Sequence, residues 1–376
     1  MNRRFTTLTF GAIPVFALAA LVNLDHIPGT NIALTVPYAA EGPGPMFNTL
    51  GKVNDVDVVQ ITGTDVDHTS GNLNMTTVSV RTNMTLVQAI SRWLLTSDNL
   101  VPIDQVIPQN KTEEEVNQLN QQAFLSSESS ATTAALRYLK KPLEVEIAEV
   151  VAGSPADGSL SAGDRIVSIA GEKVDSGGHA QKIVRSKKPG DDITVTVRHQ
   201  GTTEEKTITL AEHPSDKKLP FLGISMTTVP TGDITVKYNL EDVGGPSAGM
   251  MFALAVIDKL SPGQLNHGKY VVGTGTIDDD GNVGHIGGIE HKARAAADDN
   301  AELFLAPKDN CADLRGKDFG AMKIVSVATL EDAVTKWIIM RPGTTFIFAN
   351  DHCSGCSSSV VSMTSEVSDS SANPNW

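Results

Sequence analysis

The sequence is short of positive charge, of cysteine, of a phosphate loop and of long apolar runs. Thirty Lys and Arg stand against 44 Asp and Glu, a formal net charge of −14 over 376 residues. Nothing in such a chain would neutralise phosphates along a groove, which excludes ordinary nucleic-acid binding. Cys311, Cys353 and Cys356 are the whole cysteine complement. Cys353 and Cys356 form a lone C-x-x-C in a Ser-rich tail, too few ligands for zinc and at most a local disulfide outside the cytosol. The pattern G-x-x-x-x-G-K-[ST] is also missing. Its nearest approach, around Gly51-Lys52, has Met46 for the first glycine and Val53 after the lysine. No cofactor, metal or nucleotide is therefore expected.

One apolar run is present. After Arg3 and Arg4 no charged residue occurs until Asp25, and Phe5 to Leu24 is 20 residues long, enough for a bilayer at about 1.5 Å per residue. Flanking charges favour a cytoplasmic N-terminus. A cleaved signal peptide is the rival, but Ala17-Leu18-Ala19 lies inside the run and Tyr38-Ala39-Ala40 far beyond it, so an uncleaved anchor is favoured. Either way the remainder is expected outside the cytosol.

The length suits two or three domains. After the anchor (1–25), residues 26–138 read as a mixed domain. A strand is expected at 73–80 and a helix at 85–95, and a second helix opens at 112 with acid in its first turn. Residues 143–176 give two strands around Gly, Pro and Asp turns, and 193–210 a hairpin about Gln200-Gly201. EHPSDKKLP (212–220) reads as a linker. Strands at 270–277, 302–307 and 323–327 then alternate with helices at 244–260, 287–299 and 329–337, the last with Thr329 and Asp332 placed for a capping box. A Ser-rich tail, 341–376, is expected to be disordered.

The chemistry concentrates in GGPSAGMMFALAVIDKL (244–260). Gly244, Gly245 and Pro246 place Ser247 at the mouth of a helix apolar on nearly every side, which belongs in a core. Ser247 is there either as a cap or as a nucleophile beside helix-end amides, those about Gly245, Pro246, Ala248 and Gly249. A nucleophile needs a base, and His267, His285, His291 and Lys292 are in range, with Asp278 to Asp280 as an acidic run. Lys292 follows Gly287-Gly288 on an Ala-rich helix, where desolvation would lower its pKa toward that of a general base, although a surface lysine reads the same locally.

Two resemblances decide between these readings. Gly153-Ser154-Pro155-Ala156, Leu160, Ala162-Gly163-Asp164, Ile166, Ile169 and Gly171 resemble a PDZ domain (139–213), which implies a peptide-binding groove. Gly245-Pro246-Ser247-Ala248-Gly249, Thr274-Gly275 before Ile277, and Ile286-Gly287-Gly288 followed by Lys292 resemble the proteolytic domain of Lon-type peptidases (220–340). That resemblance implies Ser247 as nucleophile, Lys292 as general base and Thr274 in support. Many relatives carry Asp where this chain has Gly244. With the anchor, the whole resembles the YlbL-like membrane-anchored PDZ proteases. The implied architecture is multidomain α+β, an ATP-independent serine endopeptidase acting on extracytoplasmic polypeptides from a single-pass membrane anchor. A homo-oligomeric ring is a further implication. The alternatives are an inactive PDZ adaptor or an anion-binding protein using the Gly-Pro-Ser helix start.

Overall fold

The computed structural model describes Ala12 and residues 24–30, 32–69, 71–199, 201–232, 234–241, 243–263, 265 and 268–338. Apart from Ala12 and Leu24, the expected span 5–24 lies outside these residues, as do His267, Gln200 and the tail 341–376 with its C-x-x-C. Among the described residues no helix is long and apolar enough to cross a membrane. Cys311 is disulfide-bonded.

In chain order the N-terminal part supplies β1 (Tyr38–Asn48), β2 (Val59–Thr62), β3 (Asn72–Arg81), helix α1 (Leu86–Leu95), β4 (Asn99–Pro102) and helix α2 (Glu113–Tyr138). Both helices open on full capping boxes, Thr85 with Gln88 and Thr112 with Glu115. Next come β5 (Leu143–Val150), β6 (Arg165–Ile169), α3 (Gly177–Arg185), β7 (Asp192–His199), β8 (Thr202–Thr209) and β9 (Ile224–Pro230). The remainder is β10 (Thr235–Tyr238), α4 (Gly249–Leu260), β11 (Tyr270–Gly273), α5 (Ile289–Asp298), β12 (Leu303–Pro307), β13 (Lys323–Val327) and α6 (Leu330–Ile338). At α6 only half the expected box forms. The Asp332 amide donates to Thr329 Oγ1, but the Asp332 carboxylate accepts from the Ala328 amide.

Sheet pairing cuts across the expected boundaries. The central sheet runs β13-β12-β11-β3-β1-β4, so three strands of 26–138 share one sheet with three strands of 220–340. β11 pairs parallel to both β3 and β12, whereas β1 pairs antiparallel to β3 and β4. Residues 26–138 are thus not a domain apart. Their strands lack the second half of a sheet until Tyr270–Gly273 docks against Asn72–Met75. The second sheet, β8-β7-β6-β5-β9, is inserted between these halves. Its edge strand β9 comes from the segment assigned above to the Lon-type domain, and the expected linker forms a hairpin, Ala211–His213 with Asp216–Phe221.

Alternation along the parallel strands builds two cores on opposite faces of the central sheet. Val271, Leu303 and Leu305 pack with α4, Phe124 of α2 and Trp337 of α6. Val272, Phe304 and Ala306 pack with Ile289, Ala293 and Ala296 of α5. Helix α4 is buried on every side from Gly249 to Lys259, as its composition implies. The rings of Phe124 and Phe252 meet in a T-shaped arrangement with centroids 5.7 Å apart. Helix α4 and helix α5 therefore approach the same end of β11 from either side, and that junction holds the chemistry.

Candidate active site

Gly245 turns the chain with φ of 82°, a left-handed conformation that glycine adopts without cost. Pro246 and Ser247 follow, and α4 begins at Gly249 with Ala248 as its N-cap and no side-chain cap. Ser247 is therefore not capping the helix. Helix α2 instead staples the turn in place. The Asn120 carbonyl accepts from the Gly245 amide at 2.8 Å, and Ser127 Oγ donates to the Pro246 carbonyl at 2.9 Å. A Cβ on Gly244 would meet Asn120 Cβ at 3.0 Å, so this position is crowded by α2. At Gly249 a Cβ would stand 2.5 Å from Ser127 Oγ, so this glycine is what lets α2 and α4 close on each other.

Strand β11 delivers Thr274, fully buried, immediately past its last paired residue. Its hydroxyl donates to the Ser247 carbonyl at 3.0 Å, and the Gly275 amide donates to the same oxygen at 2.9 Å. Lys292 arrives from the other face, on the first turn of α5. Gly288 starts that helix in a left-handed conformation, φ of 65°, pressed against Val78 of β3.

Only 2 % of Lys292 is exposed, and its Nζ lies 2.8 Å from Ser247 Oγ and 3.0 Å from Thr274 Oγ1. Burial pushes the Lys292 ammonium down to about 7, because a desolvated cation is disfavoured against the neutral amine. No carboxylate hydrogen-bonds it among the described residues. Since the Thr274 hydroxyl proton is committed to the Ser247 carbonyl, Thr274 Oγ1 can only accept from Nζ. In the neutral amine this leaves the lone pair free to face Ser247 Oγ–H.

Ser247 and Lys292 line a cleft of about 650 Å³ bounded by β1, β3, the Gly244–Ala248 turn and the Ile286–Gly288 loop. The Gly245 amide is used by Asn120, and the Gly249 amide leans on the Pro246 carbonyl at 3.4 Å. Of the helix-start group expected to hold an oxyanion, Pro246 has no amide either. That leaves Ala248, joined by Ser247 itself. Neither of these two amides has a protein acceptor among the described residues.

The other sequence candidates fall elsewhere. His285 lines the cleft, but His291 Nε2 sits 3.1 Å from Asn99 Nδ2 over β4. Asp279 accepts from Ser130 Oγ at 2.8 Å and from Thr228 Oγ1 at 3.3 Å, while Asp280 pairs with Arg137 at 2.7 Å. The acidic run is thus a staple between α2, β9 and the hairpin after β11, and supplies no carboxylate to Lys292. Three further residues, Asn120, Ser127 and Asn310, support the site. Buried Asn310 accepts from the Ile286 amide and donates to the Ile286 carbonyl, both at 2.9 Å, and so fixes the loop that presents Lys292. Nothing local in sequence marks these three. The turn and loop they hold are 24 or more residues away, and a polar residue in a helix or loop reads as solvent-facing.

Comparison with known families identifies two domains. Residues 225–339 match the Lon protease (S16) C-terminal proteolytic domain, and residues 113–210 match the PDZ domain. The chain carries a PDZ domain and a Lon-type proteolytic domain. By that family it is a serine-type protease. Its PDZ part is similar to the PDZ domain of an SdrC-like protein from Listeria monocytogenes, at 29% identity over 22% of this chain and 85% of that one, TM-score 0.20. The corresponding domain from Listeria innocua is 31% identical over 22% and 92%, TM-score 0.21. A protein from Geobacillus thermodenitrificans is 30% identical over 22% and 94%, TM-score 0.20. No curated protein matches the chain. The PDZ match begins at α2 rather than at β5, so the helix that staples the Ser247 turn is continuous with the PDZ domain.

Proposed function

We propose that this protein is an ATP-independent serine endopeptidase that cleaves extracytoplasmic polypeptides with a Ser247–Lys292 dyad while anchored by residues 5–24. One observation carries the dyad: the buried Lys292 Nζ, with a pKa near 7, within hydrogen-bond reach of Ser247 Oγ. Neutral Lys292 takes the Oγ proton as Oγ attacks the peptide carbonyl. The carbonyl electron pair moves onto oxygen, where the unpartnered Ser247 and Ala248 amides receive it at the positive end of α4. Collapse breaks the C–N bond, and the proton on Lys292 passes to the leaving amine. Lys292 then deprotonates a water that attacks the ester, releasing the acid and restoring Ser247. Thr274 keeps the amine aimed.

Polypeptide delivery falls to the PDZ domain. Strand β9 is the last strand of its sheet, and Ile224 to Thr228 line a groove of about 450 Å³ between Gly177, Gly178 and Gln181 on one side and Ser126, Ser129 and Ser130 of α2, with Asp279, on the other. An extended segment can add there as a further strand. The disulfide at Cys311 suits an oxidising compartment, and the absence of a phosphate loop in the sequence suits ATP independence. Ser247→Ala in the full chain should lower cleavage of an unfolded substrate such as casein by at least about 10³-fold without changing thermal unfolding. Cleavage at the wild-type rate would remove Ser247 from the mechanism.

A further inference from the structure

Helix α1 leaves one side uncovered. At about 100° per residue, Leu86, Val87, Ile90, Trp93 and Leu94 fall within one arc of about 120°. All are exposed, Trp93 by 65%, and Leu95 at the helix end by 82%. Just past the Trp93 edge of that arc, Ala89 packs into a small cluster with Ala40, Met84, Val36 and Leu100. The helix has no acidic residue, and its one charge, Arg92, is turned to Asp98. An apolar arc of this kind on an exposed helix needs a partner.

The chain leading out of the apolar run is tied to the start of this helix. The Asp25 carbonyl accepts from the Leu34 amide at 2.7 Å, His26 bridges Ala33, and the Val36 amide donates to the Met84 carbonyl at 2.9 Å. Through these links Leu24 stays within roughly 28 Å of Leu86, no more than the thickness of a bilayer core of about 30 Å.

We propose that the apolar face of α1 lies in the interfacial layer of the membrane, with Trp93 at headgroup depth. This rests on the anchored reading above. A span ending at Leu24 puts the bilayer surface at the point to which α1 is tied. Tryptophan favours that layer, and a helix without acid meets anionic headgroups without repulsion. The contact would hold the β1–β4 edge of the central sheet beside the membrane, since α1 packs on those strands.

The test uses Trp93 as reporter. The full chain and its Trp93→Phe form are reconstituted in phosphatidylcholine vesicles, with or without lipids brominated near the headgroup end of their acyl chains. The fluorescence difference between the two proteins isolates Trp93. The expected result is that brominated lipid quenches this difference at least about twofold while aqueous iodide does little. Three results would overturn the proposal. Quenching by iodide alone would place Trp93 in water. Resistance to both quenchers would mean that a second copy or another part of the chain covers α1. Protein that does not float with the vesicles would refute the anchored reading and this inference with it, whereas flotation without bromine quenching refutes this inference alone.

Discussion

Replacing Lys292 by methionine keeps the volume and removes the charge, so it separates what the lysine does for catalysis from what it costs the fold. The folded-state pKa of about 7 lies below the ordinary 10.5. Between these values the unfolded chain binds more protons, so stability rises with pH across that window and is lowest, by the full penalty, below it. At pH 7 the penalty is about 4 kcal/mol, falling to about 1.5 kcal/mol at pH 9.5, from 1.36 kcal/mol per pKa unit. Methionine carries no such term. It does leave the Ser247 and Thr274 hydroxyls short of a partner, at about 1 kcal/mol each and independent of pH. The wild type should therefore gain about 3 kcal/mol relative to Lys292→Met between pH 7 and pH 9.5. Urea unfolding of both proteins in a Trp93→Phe background, where Trp337, 1% exposed in the core with α4, is the buried tryptophan that changes environment, reads this by fluorescence. A relative stability that moved by less than about 1 kcal/mol over that range would mean Lys292 is not desolvated, and its role as a neutral base would fall.

Two further substitutions probe how the lysine is held. Thr274→Val removes the acceptor for Nζ and should lower kcat by about 10- to 100-fold with little change in KM, while Thr274→Ser restores most of it; equal activity in the valine form would deny Thr274 its part. Gly288→Ala forces a left-handed residue and sets a Cβ 2.6 Å from Val78 Cγ2. It should cost about 2–4 kcal/mol, measured by thermal unfolding, and adding Val78→Ala should recover part of that loss if the contact is the cause.

How much of this was legible beforehand follows from where the determinants lie. The strand at 73–80 and the helices about 85–95 and 287–299 stand where local periodicity put them. Ser247 and Lys292 stand out locally only as a helix-start hydroxyl and an Ala-flanked lysine; the Lon-type resemblance is what joined them with Thr274, and the structure brings the three together. The architecture was less readable. Asn72–Met75 pairs with Tyr270–Gly273 across the whole PDZ insertion, and such a pairing leaves no trace in either segment. Edge strand β9 follows a Pro-bounded polar stretch that reads as a linker but folds as a hairpin. Helix α2 runs 26 residues to Tyr138, burying small residues such as Ala131, Ala134 and Ala135, which give a weak helical pattern. Asn120 and Ser127 act from that helix across more than a hundred residues of chain, beyond the reach of any local motif.

The most direct measurement of the central claim is the rate at which a serine-directed phosphonate labels the protein as a function of pH, with the adduct located by peptide mass spectrometry. A Ser247 activated by a neutral Lys292 should carry the adduct, at a rate that rises with pH through about 7 and then levels off. Lys292→Met should label at least about 10²-fold more slowly, with that inflection gone. Labelling of another residue, or labelling of Ser247 at the same rate in Lys292→Met, would contradict the dyad.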